Sequence, residues 1–68
     1  MKIYLEDLIA HTKGERELAD GSDIAALLSV LRYENYDLYH TVNGKHQRFD
    51  FVLSGGDRVA IIPVLNGG

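Results

Sequence analysis

The sequence closes on Asn66-Gly67-Gly68, reached directly from the apolar run Val59-Ala60-Ile61-Ile62-Pro63-Val64-Leu65. Two residues without Cβ make the thinnest peptide a chain can offer, with φ free in both halves of the map. The chemistry this suits is activation of a carboxylate. A Gly68 carboxylate at the tip of a narrow peptide can be gripped in another protein's active site and turned into an acyl derivative. With seven Gly in 68 residues, a terminal pair is roughly a one-in-100 coincidence on composition alone, so its meaning depends on the elements behind it.

No second chemistry competes with the tail. The chain has no Cys, so disulfides and thiolate metal sites are excluded. Any sulfur it handled would find no side chain to hold it as a persulfide or thioester. His11, His40 and His46 share no ligand spacing, and no metal site is expected. No Ser–His–Asp set, phosphate loop or general acid–base pair is readable. The Asp and Glu residues read as surface. Tyr33, Tyr36 and Tyr39 have acidic neighbours, which argues against phosphate and for packing over a helix end.

The length of 68 residues and the net charge of −3 set the remaining bounds. A chain this short forms one domain and buries only about 60% of its unfolded surface. Net negative charge argues against nucleic acid and fits a basic protein partner. Met1-Lys2 leads into alternation without a leader-type apolar core, and no apolar run nears the ~20 residues of a membrane span. A cytoplasmic protein that binds no membrane is expected.

The elements that must position the tail follow from periodicity. Met1, Ile3 and Leu5 alternate with Lys2, Tyr4 and Glu6, a strand with one buried face. Residues 7–14 read as a loop, with Leu8 and Ile9 tucked against the core, and Glu15–Leu18 as a second, antiparallel strand. Ser22 is the expected helix N-cap. Ile24, Leu27, Leu28 and Leu31 fall at i, i+3, i+4 and i+7 of a helix ending near Arg32 or Tyr33. Leu38–Val42 is a strand closed by the tight-turn pair Asn43-Gly44. A short strand is expected around Phe49 and Phe51, and Arg58–Val64 is the last strand. The first and last strands, the most apolar, should form the sheet centre.

The last strand is apolar on both sides. Val59, Ile61 and Pro63 point one way, and Ala60, Ile62 and Val64 the other. Either segment 45–53 covers the second face or it is a patch for a partner. Pro63 donates nothing to a ladder, so pairing should lapse there, leaving a 64–68 tail on a 1–63 domain. The tail residues are Leu65, Asn66, Gly67 and Gly68. Candidate partner-binding residues are Ile62, Val64, Pro63, Ala60 and Arg58, although Arg58, like Lys45, also fits a solvated face.

Together, Met1-Lys2-Ile3-Tyr4-Leu5, Asp20-Gly21-Ser22 before a Leu-Leu helix, Val42-Asn43-Gly44, Gly56-Asp57-Arg58-Val59-Ala60-Ile61-Ile62-Pro63 and Gly67-Gly68 resemble the MoaD/ThiS family of ubiquitin-like β-grasp sulfur carriers. The likeness runs the whole length and is most specific in the last thirteen residues. Arg58 stands where the family often has an acidic residue, and Asn66 where it has a small one. The resemblance implies an α+β fold: a ubiquitin-like β-grasp whose mixed four- to five-stranded sheet is covered on one face by a single main helix. It also implies a carrier that has no catalytic site of its own and binds no cofactor. An E1-like adenylating enzyme would use ATP on the Gly68 carboxylate. A sulfurtransferase or cysteine desulfurase would supply the sulfur of a thiocarboxylate. A sulfur-accepting synthase would consume it, molybdopterin-type ahead of thiazole-type. Two alternatives use the same residues differently: a protein modifier forming isopeptide bonds, and a non-covalent interaction module.

Overall fold

The computed structural model describes residues 1–64. Strand β1 (Lys2–Asp7) pairs antiparallel with β2 (Thr12–Glu17); helix α1 (Ile24–Val30) follows, then β3 (Leu38–Val42) and β4 (Arg58–Pro63). The four-stranded sheet has the order β2-β1-β4-β3. β1 and β4 run parallel and β3 and β4 antiparallel, so the sheet is mixed. The two apolar strands hold the centre, as their composition demanded, and the charged β2 lies at an edge. Such an edge is protected against stray pairing by its own charges.

Alternation sets the inner face. Ile3, Leu5, Val42, Val59 and Ile61 are buried and meet Ile24, Leu27 and Leu28 of α1, with Leu18 and Leu53 closing the ends. Leu18 lies just beyond β2 but is bonded in its ladder, its N–H donating to Met1 O at 2.8 Å. β2 itself begins at Thr12, three residues before the expected Glu15. Leu8 is 41% exposed rather than tucked in, whereas Ile9 does pack on the core.

The helix is shorter than its apolar periodicity predicts, and its cap differs. Asp23, not Ser22, is the N-cap: its Oδ1 accepts from Ala26 N–H at 2.8 Å, while the Ser22 hydroxyl turns back to Ala19 O at 2.6 Å. A carboxylate is the better acceptor at the positive end of a helix. The helix stops at Val30 because Arg32 adopts φ 63°, Arg32 N–H donates to Ser29 O at 3.0 Å, and Tyr33 N–H donates to Leu28 O at 2.8 Å. This doubly bonded left-handed turn satisfies the last carbonyls. It usually uses Gly, which is why its occurrence at Arg32 is not readable from residue type.

No strand forms around Phe49 and Phe51. The segment instead closes the start of α1: Ile24 N–H donates to Phe51 O at 3.1 Å and Ala25 N–H to Phe49 O at 3.0 Å. First-turn amides have no partner within a helix, and here these carbonyls and Asp23 satisfy them. The segment's upstream end runs along the β3 edge, where the buried, inward-facing His40 donates its Nε2–H to Gln47 O at 2.7 Å and its ring meets Phe49 and His46, each at 5.0 Å between centroids. Asn43-Gly44 makes the expected tight turn, with φ 53° and 86°.

Candidate functional site

The diglycine and its approach, Leu65, Asn66, Gly67 and Gly68, lie outside the described residues. What the structure places is the root of that tail and the face beside it. Because segment 45–53 is committed to the start of α1 and to the β3 edge, it does not cover the second face of β4. That settles the choice left by the apolar pattern in favour of an open outer face.

Register builds this face row by row. Tyr4 on β1 is beside Arg58 on β4; Glu6 and Thr41 flank Ala60; Tyr39 is beside Ile62. Arg58 is exposed, its guanidinium 5.7 Å from the centre of the Tyr4 ring, and its backbone N–H donates to Asn43 Oδ1 at 2.9 Å. Asn43 Nδ2 in turn donates to Asp57 Oδ1 at 3.0 Å, so the β3 turn and the turn before β4 are stapled together. Ala60 and Ile62 are half-buried, while Tyr4, Tyr39 and Val64 are 38%, 46% and 46% exposed. The small side chain of Ala60 leaves a shallow open concavity of ≈ 550 Å³, walled by Glu6, Thr41, Asn43 and Arg58 and by the backbone of Gly44 and Gly56. Of the expected partner-binding residues, Arg58, Ala60 and Ile62 therefore share one surface. Pro63 belongs by alternation to the inner side, half-buried opposite Leu38.

Pro63 does not end all pairing. Toward β3 it occupies a position where no N–H is used, so the ladder continues and Val64 N–H donates to Asp37 O at 3.3 Å. Its missing N–H falls on the β1 side, where the last bond is Leu8 N–H to Ile61 O at 2.9 Å. Pairing therefore lapses on one side only.

Sequence reading missed Asp7. It is 3% exposed, not a surface carboxylate. Oδ1 accepts from Ile9 N–H and Ala10 N–H, both at 2.9 Å, and Oδ2 from the Tyr33 hydroxyl at 2.8 Å. Burial of a charged group is tolerated when its oxygens are bonded in this way. The signal in the sequence was an inward position: Asp7 continues the Ile3, Leu5 alternation. Burial first, and then the bond to Asp7, push the Tyr33 hydroxyl up to about 12 from its ordinary 10.0. Tyr33 and Tyr36 pack with centroids 4.9 Å apart, but Tyr39 stacks on His46 at 5.1 Å instead of joining them. The three tyrosines thus form no common platform.

Known structures share this fold. A protein of Pyrococcus furiosus named as molybdopterin converting factor, subunit 1, superposes with a TM-score of 0.76 at 21% identity, over 93% of this chain and 98% of that one. SAMP1 of Haloferax volcanii gives 0.77 at 11% identity over the full length of both. A ubiquitin-like protein of Caldiarchaeum subterraneum gives 0.66 at 17% identity, over 98% of this chain and 100% of that one. At these identities the likeness establishes the fold, a ubiquitin-like β-grasp. No curated protein matches the sequence. Residues 4–68, which include all of β4 and the diglycine, match the ThiS family, and the chain belongs to that family of small ubiquitin-like sulfur carriers.

Proposed function

We propose that the protein carries sulfur on its C-terminal glycine for cofactor biosynthesis and has no catalytic site of its own. The observation that carries this reading is the family match extending through Gly67-Gly68, in a chain without any Cys to hold sulfur elsewhere. An E1-like enzyme binds ATP and uses it to adenylate Gly68; no cofactor is held by the carrier. A Gly68 carboxylate oxygen attacks the α-phosphorus and pyrophosphate leaves. The terminal sulfur of a persulfide on a sulfurtransferase or cysteine desulfurase then attacks the acyl carbon and AMP leaves; a thiol reductant cleaves the S–S bond of the resulting acyl disulfide and releases the thiocarboxylate. A synthase takes that sulfur, of molybdopterin type before thiazole type. The work takes place among soluble partners in the cytoplasm.

The open outer face supports the docking half of this cycle. Ordering an extended tail in a partner's channel costs roughly 1–2 kcal/mol per residue. Burial of Ile62, Val64 and the Ala60 concavity against the partner offsets that cost at about 25 cal/mol per Å² of apolar surface, with Arg58 orienting the contact.

Incubation with the adenylating enzyme, ATP and a sulfur source should exchange one oxygen for sulfur at Gly68, read by intact mass. A chain extended by one residue beyond Gly68 should fold and fail to exchange. An unchanged mass with the native partner enzymes sinks the reading. A second reading is favoured by the likeness to the H. volcanii protein, which is named a small archaeal modifier protein: the activated carboxylate would pass to a Lys amine. Gly-Gly remnants on lysines of other proteins would identify it.

A further inference from the structure

Asp7 has no part in the scheme above, yet among the described residues it is the one buried carboxylate, and it lies beside the strand that leads to the tail. It ends β1 directly opposite Ile61. Its two oxygens serve two different segments. Oδ1 holds the backbone of Ile9 and Ala10, which together with Leu8 form the bank of the β4 end on the β1 side; Leu8 is tied to Ile61 O. Oδ2 holds the Tyr33 hydroxyl, 26 residues away in sequence. From Tyr33 a short path leads to the opposite bank. The Tyr36 N–H donates to Tyr33 O at 3.1 Å, the two rings pack, and Asp37 O accepts the Val64 N–H. Ile62, Pro63 and Val64 run between these banks. The banks and root also present exposed apolar side chains: Leu8, Tyr36 and Val64.

We infer that the Tyr33–Asp7 hydrogen bond is a positioning pair: it fixes the two banks relative to each other and so sets how the tail root is presented to the enzyme that activates Gly68. The geometry is unusually specific for a mere filler of the core. The left-handed turn at Arg32, strained for a residue with a Cβ, directs the chain so that Tyr33 reaches Asp7. A single carboxylate then satisfies three donors from two segments. Both residues act through the banks.

This inference rests on the carrier reading, and the experiment separates the two. Adenylation is followed by ATP–pyrophosphate exchange with the E1-like enzyme, comparing wild type with Tyr33→Phe at a temperature well below both unfolding midpoints. Y33F keeps the ring that packs on Tyr36 and deletes only the hydroxyl. The expected result is a KM for the carrier raised about 3- to 10-fold, with kcat within about twofold. A purely structural role leaves both constants unmoved once the protein is folded, and an unmoved KM in Y33F overturns the inference while leaving the carrier function standing. Absence of exchange in wild type overturns the carrier function instead. The positioning role is then decided by amide hydrogen exchange: Y33F must lower protection at Ile9, Ala10 and Val64 together, and a loss confined to residues 33–37 overturns it. Asp7→Asn provides the conservative partner, since its side-chain oxygen can still accept from Ile9 and Ala10; its effect on KM should not add to that of Y33F.

Discussion

The two faces of the sheet are built from the same strands and do opposite work. On the inner face, Val59 and Ile61 are fully buried against α1; on the outer, their neighbours Arg58, Ala60 and Ile62 keep access to solvent. β1 repeats the contrast, with Ile3, Leu5 and Asp7 inside and Tyr4 and Glu6 outside. The inner face closes the fold with apolar volume, one bonded carboxylate and the buried His40 ring. The outer face mixes aromatic rings, a short side chain and two charges around an open concavity, a composition that suits a partner's surface better than a core. The lesson is that apolar character alone did not identify the core on β4. What separated the faces was which one the helix and its flanking segment had already taken.

The sharpest way to break this comparison is at Ile61. Ile61→Ala should cost roughly 2–5 kcal/mol in urea unfolding, close to the whole stability of many domains this small. Asp7→Leu tests the polar point of the same face: leaving the Ile9 and Ala10 amides and the Tyr33 hydroxyl without their acceptor should cost about 1–3 kcal/mol, despite the added apolar volume. A gain in stability would show that the site prefers to be apolar. On the outer face, Ala60→Arg should change stability by no more than about 0.5 kcal/mol. The same variant fills the concavity and should raise the KM for adenylation roughly tenfold, a docking loss of about 1.4 kcal/mol. If it unfolds the protein, or is activated like wild type, the division of labour between the faces is wrong.

The smallest effect is a pH dependence confined to the inner face. Tyr33 has its folded-state pKa raised to about 12, above the ordinary 10.0 of an exposed phenol. The protonated hydroxyl therefore favours the fold. Its contribution is fully present below pH 10 and is lost as pH rises through 12. Wild type should lose its stability advantage over Y33F across that interval, and tyrosinate absorbance in Y33F should lack a late step near pH 12. A constant advantage would mean that the Tyr33–Asp7 bond does not tie the inner face to the segment after the helix.

Much of this molecule was legible in order and pattern. The alternation of β1, the helical spacing of Ile24, Leu27 and Leu28, the Asn43-Gly44 turn and the β-branched final strand each express a local preference. The resemblance of these segments to a sulfur-carrier family required no coordinates. The misplaced boundaries have one cause. The cap passed from Ser22 to Asp23 as the Ser22 hydroxyl turned back to Ala19, the helix stopped early at a left-handed Arg32, and segment 45–53 served as a cap for α1 rather than a strand. Each outcome depends on which competing hydrogen bond a residue finds, and residue type does not list the competitors.

The sequence by itself therefore determined the sheet's central strands, the helix's apolar face, and a Cys-free composition with Gly67-Gly68 after the last strand. Only the tertiary structure decided that the outer face of β4 is open, that Pro63 ends pairing on one side and not the other, and that Asp7 is buried. Those three depend on groups brought together from distant parts of the chain: Phe49 and Phe51 against α1, Asp37 against Val64, Tyr33 against Asp7. Periodicity reports how a segment divides its own faces; it cannot report which distant segment arrives to cover one of them.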